Sequence, residues 1–423
     1  MLNYISCSKE RLLEEKALLE ETYESYVAQN LKLDMSRGKP SSSQLDLNND
    51  ILNTLEIYTT EDGLDARNYG VLDGIPEAKK LFSALLNIPK EQIIIGGNSS
   101  LNLMYDMFIR LSLFGTQGNT PWCKLEKVKF LCPSPGYDRH FAICEDLGIE
   151  MITVPMNEAG PDMDYVEELV KVDESIKGIW CVPLYSNPQG ICYSDETVER
   201  LAKMETAAKD FRIFWDNAYG IHHIYEEESL KDIFEAAKAY GLEDRIYYFF
   251  STSKITFPGA GVALMAASRN NIDEIKKHMS IQTIGHDKLN QLRTVRYFKD
   301  VEGIKAHMAK LGDELRPKFD VVLGTLEKEL GGTGLLTWVK PKGGYFIAVD
   351  TLEGCAKATV ELAKKAGVVL TEAGATFPYK KDPKDQNIRI APTYPTIEEL
   401  QKAMELFCVC VKLAGVNRLI EAC

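Results

Sequence analysis

Apolar and polar positions along this chain alternate between two periods. From residue 77 to residue 268, stretches with apolar side chains three or four apart exchange with short unbroken apolar runs. The first kind reads as amphipathic helix and the second as buried strand. Helices are expected over 77–86, 101–113, 137–147, 165–170 and 195–209, and strands over 93–95, 128–132, 150–154, 178–183, 211–215 and 245–250. Strands separated by helices need crossover connections, so the pattern predicts an α/β fold whose mostly parallel sheet is covered by helices on both faces. Ligands in such folds sit beyond the carboxyl ends of the strands.

The two ends of the chain read differently. Residues 8–28 carry apolar positions at helical spacing behind Ser8 as cap, and 36–43 is too rich in Gly, Pro and Ser for a regular element, so it reads as an extended arm. Residues 287–330 are helical in composition, with Pro317 expected to kink or break the run. Beyond them, strands at 337–339, 344–349, 368–370 and 387–391 and helices at 356–366 and 396–414 describe a smaller α+β unit. The division expected is an N-terminal helix and arm at 1–48 belonging to the small domain, a large domain at 49–310 and the C-terminal small domain at 311–423.

Composition narrows the class without changing the fold. An apolar share of 45% and a charged share of 26% are those of a soluble globular protein. No apolar run is long enough to span a membrane, and Met1-Leu2-Asn3-Tyr4 lacks a signal-peptide pattern, so a cytoplasmic protein is expected. A net charge of −13 without a basic stripe argues against a nucleic-acid partner. The ten cysteines lie scattered from Cys7 to Cys423 without CxxC spacing and read as reduced thiols, and Cys408-x-Cys410 has no second pair to complete a zinc site. No metal is expected from the six histidines either: His222 and His223 read as facing opposite sides of a strand. Gly331-Gly332-Thr333-Gly334 reads as a turn.

Candidate chemistry collects at three strand ends. The run at 245–250 delivers Ser251-Thr252-Ser253-Lys254 ahead of Pro258-Gly259-Ala260-Gly261, the run at 211–215 delivers Asp216-Asn217-Ala218-Tyr219, and that at 178–183 delivers Asn187-Pro188-Gln189-Gly190. A lone lysine there is ordinarily a solvated surface residue. Aromatic neighbours before it and glycines after it instead suit a pocket in which a partly desolvated amine is neutral and nucleophilic. Asp216 is open to reading as a helix cap or a magnesium ligand, but with Tyr219 it makes a carboxylate and a phenol able to hold a protonated pyridine nitrogen and a ring oxygen. Gly96-Gly97-Asn98-Ser99-Ser100 opens a helix and is either ordinary capping or a phosphate seat. Tyr137, after the strand ending at Cys132, is either a core tyrosine or a platform for a flat ring. Arg389, inside an apolar strand, needs an anionic partner, which a substrate carboxylate supplies.

The ordered set Tyr69…Gly74, Ser99-Ser100, Tyr137, Asn187-Pro188, Asp216-Asn217-Ala218-Tyr219, Ser251-x-x-Lys254 and Arg389 resembles the fold-type I pyridoxal-phosphate aminotransferases of class I/II. Within them it is most similar to the divergent bacterial aspartate aminotransferase subgroup. The resemblance runs from Ser36-Arg37-Gly38-Lys39-Pro40 to Arg389. It implies a seven-stranded large-domain sheet with a small domain formed by both chain ends, and transamination between L-aspartate and 2-oxoglutarate on pyridoxal 5'-phosphate. Lys254 would bond to the cofactor aldehyde, Asp216 would pair with its ring nitrogen, Tyr219 and Asn187 would bond its ring oxygen, and Tyr137 would stack on it. Ser99, Ser100, Ser251 and Ser253 would hold the phosphate, joined by Tyr69 from a second subunit of a homodimer. Arg389, with Asn187 and the Gly38 backbone, would grip the substrate α-carboxylate, and Arg139, preferred over Arg37, its distal carboxylate. One departure stands out: where many relatives carry a phosphate-binding arginine, eight residues past the lysine, this chain has Val262. The same residues would also serve a broad aromatic or alanine aminotransferase or a C–S lyase. A transcription regulator with such a domain would need a DNA-binding module in front, whereas fewer than fifty residues precede the core, with no helix-turn-helix and no basic patch.

Overall fold

A computed structural model describes residues 2–423. After the first helix, Lys9–Val27, comes β1 (Leu33–Asp34). Then β2 (Ile93–Ile95), β3 (Lys129–Ser134), β4 (Glu150–Asn157), β5 (Gly160–Pro161), β6 (Ile176–Cys181), β7 (Arg212–Asp216), β8 (Ile246–Ser251) and β9 (Ala263–Ala267) form the central sheet. Their spatial order is β2-β9-β8-β7-β6-β3-β4-β5. β8, β7, β6, β3 and β4 run parallel, and β9 is antiparallel to both its neighbours. β5, two residues long, lies antiparallel on β4 and extends the expected seven strands to eight. In the C-terminal region β10 (Leu336–Trp338), β11 (Ile347–Thr351) and β13 (Asn387–Ile390) make an antiparallel sheet, while β12 (Val368–Val369) pairs with β1.

The unbroken apolar runs have a simple cause. Every residue of β6, β7 and β8 is buried, because helices cover both faces. Side chains alternate between two cores: Phe214, Trp180 and Phe249 face one, while Ile213, Trp215 and Phe250 face the other. Phe108, from the helix Ser100–Phe114, stacks on Trp180 at 4.9 Å and meets Phe214 at 4.7 Å, fixing that helix over the sheet.

Three expectations are corrected. The strand Ala263–Ala267 was not foreseen, because its alanines lack the β-branched signal that marks strands and only insertion between β2 and β8 makes it one. Pro317 does not break its helix: Val301–Leu330 is continuous, its buried side including Leu315, Phe319 and Val322, so packing outweighs the one lost backbone bond. The arm is shorter than read, since residues from Ser42 onward form the helix Ser42–Asp46 with a capping box at Ser41. The helix Lys9–Val27 packs on the last helix, Ile397–Ala422, and β1 pairs with β12, so both chain ends join one unit. All ten cysteines are free, and no helix among the described residues is long and apolar enough to cross a membrane.

Candidate active site

Adjacent parallel strands end on the same side of the sheet, which brings together residues far apart in sequence. Asp216 closes β7, and its side chain is 3% exposed. His140 Nε2 lies 2.9 Å from Asp216 Oδ2, within hydrogen-bond reach. The imidazole stacks on Trp180, centroids 4.1 Å apart and planes 6° from parallel, so its position is fixed by the sheet. Asp216 Oδ1, in contrast, is buried without a partner. An orphaned buried acceptor costs about 1–3 kcal/mol, a cost that a ligand N–H would remove.

Lys254 follows β8 within a turn locked by Thr252, whose backbone N–H donates to the Val262 carbonyl at 2.8 Å and whose side-chain Oγ1 accepts from Val262 N–H at 2.9 Å. The amine donates to the Gly38 carbonyl at 3.2 Å and sits 4.5 Å from the centroid of the Tyr345 ring. Burial lowers its pKa to about 8, Arg389 adds to the shift, and Asp216 opposes it. An amine titrating there gains its neutral, nucleophilic form as pH rises to about 8. Loading of the apoprotein with an aldehyde, trapped by borohydride, is therefore expected to accelerate with pH and level off near 8; acceleration continuing toward pH 10.5 would place the amine in ordinary solvent.

Gly38 brings the arm over this amine. A Cβ there would stand 2.6 Å from Phe346 Cζ and 2.9 Å from Tyr345 Cδ1, so only glycine lets the backbone pass.

Arg389 reaches the site from β13 with its side chain 8% exposed. One terminal nitrogen, NH1, donates to Asp138 Oδ1 at 2.9 Å and to Asn187 Oδ1 at 3.3 Å. The guanidinium lies 4.8 Å from the Phe346 ring centroid, and its Nε is buried without a partner. Tyr219 is buried, which pushes its phenol well above the usual range, with Tyr137 and Asp216 adding and Arg389 opposing. Tyr137 is held edge-on to His140 at 4.9 Å, and burial followed by Asp216 raises it to about 12. Both phenols therefore stay protonated and able to donate.

A polar seat closes the other side. Ser99 stands at the cap position of the helix Ser100–Phe114 but makes no capping bond, which leaves its hydroxyl free at the positive end of the helix. Ser253 Oγ donates to the Asn98 carbonyl at 3.2 Å, tying the lysine turn to this helix start, and Ser251 is buried at the end of β8. Val262 is 1% exposed within the core, so no cation enters the seat from that position.

Lys254, Asp216, Tyr219, Asn187, Tyr137, Arg389 and Gly38 are thus gathered around one crevice, with the serines at its helix end. Tyr69 is not part of it: its side chain is 80% exposed and shares a surface cleft with Gly285 and His286. Arg139 and Arg37 are also exposed, and Arg139 lines a cleft with Tyr105 and Asp106 between two helices. His222 and His223 do not lie on a strand as expected. His222 is buried between Tyr219 and Tyr345 with both ring nitrogens unpartnered, and burial lowers it to about 3, whereas His223 Nδ1 lies 2.7 Å from the Tyr185 hydroxyl. The sequence reading missed His140, Asp138 and Tyr345. His140 stands one helical turn after Tyr137, a spacing that signals a shared face but not which strand that face meets.

The family described as aspartate amino-transferase matches residues 7–422 of this chain. An aspartate aminotransferase of Corynebacterium glutamicum is 46% identical over 399 residues, 93% of this chain and 92% of that protein. The crystal structure of an aspartate transaminase from Corynebacterium glutamicum superposes with a TM-score of 0.96 at 44% identity, covering 99% of each chain. At the level of the fold alone, an α-aminoadipate aminotransferase of Thermus thermophilus, complexed with N-(5'-phosphopyridoxyl)-L-leucine, gives a TM-score of 0.74 at 20% identity over 98% of this chain and 96% of that one.

Proposed function

The chain belongs to the aspartate aminotransferase family, and from that premise we propose that it transfers the amino group of L-aspartate to 2-oxoglutarate, using pyridoxal 5'-phosphate held at Lys254. The observation that carries this reading is the unpartnered Asp216 Oδ1, buried on the same strand-end edge as an amine that titrates near 8.

The residues fit the cofactor. Asp216 presents a fixed carboxylate to a ring N–H, Tyr219 and Asn187 offer donors to a ring oxygen, and Tyr137 offers a flat face. Ser99, Ser100 and Ser251 offer hydroxyls to a phosphate at a helix start, where backbone N–H groups supply the positive field that no arginine at 262 provides, while Ser253, whose hydroxyl already donates to the Asn98 carbonyl, would join them only by turning away from it. Tyr69, exposed on its own chain, would reach the phosphate of a second copy, which makes the working form a homodimer.

When bound, the cofactor supplies a protonated ring that draws off the electron pair left at the substrate Cα. The chain's own side chains do the rest. Arg389 holds the α-carboxylate through the part of its guanidinium left free, with the Gly38 N–H and Asn187 beside it, so the Cα–H is aimed at Lys254. The Lys254 amine, half neutral near pH 8, would take the proton from Cα and return it to the former aldehyde carbon of the cofactor, two bonds away. Asp216, with Oδ2 held against His140, would place its unpartnered Oδ1 against the ring nitrogen opposite. Phe346 and Tyr345, packed on Arg389 and Lys254, keep water from both cations.

For the distal carboxylate of aspartate we propose Arg139, whose helix begins beside Tyr137 but whose side chain lies in the outer cleft with Tyr105 and Asp106, so the role requires that side chain to turn toward the crevice. Arg139→Ala is expected to lower kcat/KM for aspartate at least about tenfold more than for alanine, the size of one lost charged hydrogen bond. Equal losses for the two donors would remove that role.

The function itself is tested by titrating the visible spectrum of the purified protein. L-aspartate should bleach the cofactor band and 2-oxoglutarate restore it. Bleaching by alanine or an aromatic amino acid but not by aspartate would assign a different donor.

A further inference from the structure

We propose that Asp138, a residue outside the reaction chemistry, is the positioning residue for Arg389. It stands first in the helix Asp138–Asp146, which belongs to the central-sheet unit, whereas Arg389 lies on β13 of the C-terminal sheet. Their 2.9 Å ion pair therefore crosses from one unit to the other. The neighbouring backbone is tied in the same direction. Gly136 N–H donates to the Thr376 carbonyl at 2.8 Å, and the Thr376 hydroxyl donates to Asn387, on the same strand as Arg389, at 2.8 Å.

The pair has a consequence for the free edge of the guanidinium. Its five N–H donors form a rigid planar fork. Asp138 and Asn187 take the two hydrogens of NH1. That leaves NH2 and the buried, unpartnered Nε, two donors side by side in the geometry that a carboxylate accepts as a pair. Asp138 thus fixes which edge of Arg389 is open. Its negative charge works against an incoming carboxylate, so what it contributes is the acceptor atom that sets orientation, and a neutral acceptor of the same shape should serve as well.

This inference rests on Arg389 being the carboxylate site. The test uses cofactor-loaded enzyme and succinate, a dicarboxylate with no amino group to transfer, with binding measured by calorimetry and thermal midpoints taken on the same samples. Arg389→Ala first: unchanged succinate affinity would remove the reading of Arg389 and this proposal with it. With Arg389 upheld, Asp138→Ala is expected to weaken succinate about tenfold and raise KM for both amino and oxo acid, the loss of one anchoring bond. Asp138→Asn is expected to stay within about twofold of wild type or bind more tightly. Asp138 is one-third exposed and alanine suits a first helical turn, so the fold should survive. Wild-type affinity in the alanine variant, or a tenfold loss in the asparagine variant, would overturn the proposal while leaving Arg389 as the carboxylate site.

Discussion

Lys254→Ala is expected to lower kcat at least about 10³-fold, because in the proposed function one amine would serve as both the covalent tether and the base that moves the Cα proton, and a positioned base alone is worth roughly 10²–10⁴. Borohydride treatment of the loaded variant should leave no pyridoxyl group on the peptide containing position 254. Turnover within about tenfold of wild type would remove the lysine from the chemistry. The same variant should change the pH dependence of stability. The native amine titrates near 8 and its free counterpart at 10.5, so between those values the unfolded chain holds more protons and stability rises with pH. That rise should be missing from the alanine variant in the apoprotein.

Asp216→Asn is expected to cost about 10²–10³ in kcat, the scale of removing one preorganised electrostatic partner from a site closed to water. The amide has the shape of the carboxylate and can keep the His140 contact, so the fold should tolerate it. What it lacks is the second carboxylate oxygen that, in the proposed function, would face the ring nitrogen. Equilibrium dialysis of the cofactor, read beside kcat, separates lost affinity from lost chemistry. A variant with kcat within about threefold of wild type would show that Asp216 is a structural partner of His140 and nothing more.

Some of this was legible from local pattern. Lys254, Asp216 and Asn187 follow strands buried on both faces, and such strands announce themselves as unbroken apolar runs, so their ends are visible in one dimension. Arg389 was legible for a related reason: a charge inside the run Asn387–Ile390 has to find an anion. His140 and Asp138 were not, since a polar residue in an amphipathic helix is ordinary until the helix is docked. Ala263–Ala267 escaped because small residues carry no period of their own, and an antiparallel strand inserted between two others is defined by its neighbours.

The sequence alone determined the alternation of helices and buried strands, the strand ends that bear the candidate residues and the family, because burial on both faces and special turn residues are local properties of a chain. Tertiary structure alone decided that His140 holds one oxygen of Asp216 and leaves the other open, that Asp138 claims one nitrogen of Arg389, and that the Gly38 arm lies against Lys254. Each of those contacts joins residues from 76 to 251 positions apart, and hydrogen bonds a few ångströms long over such separations are set by how helices dock on a sheet, a collective result of core packing that no local pattern encodes.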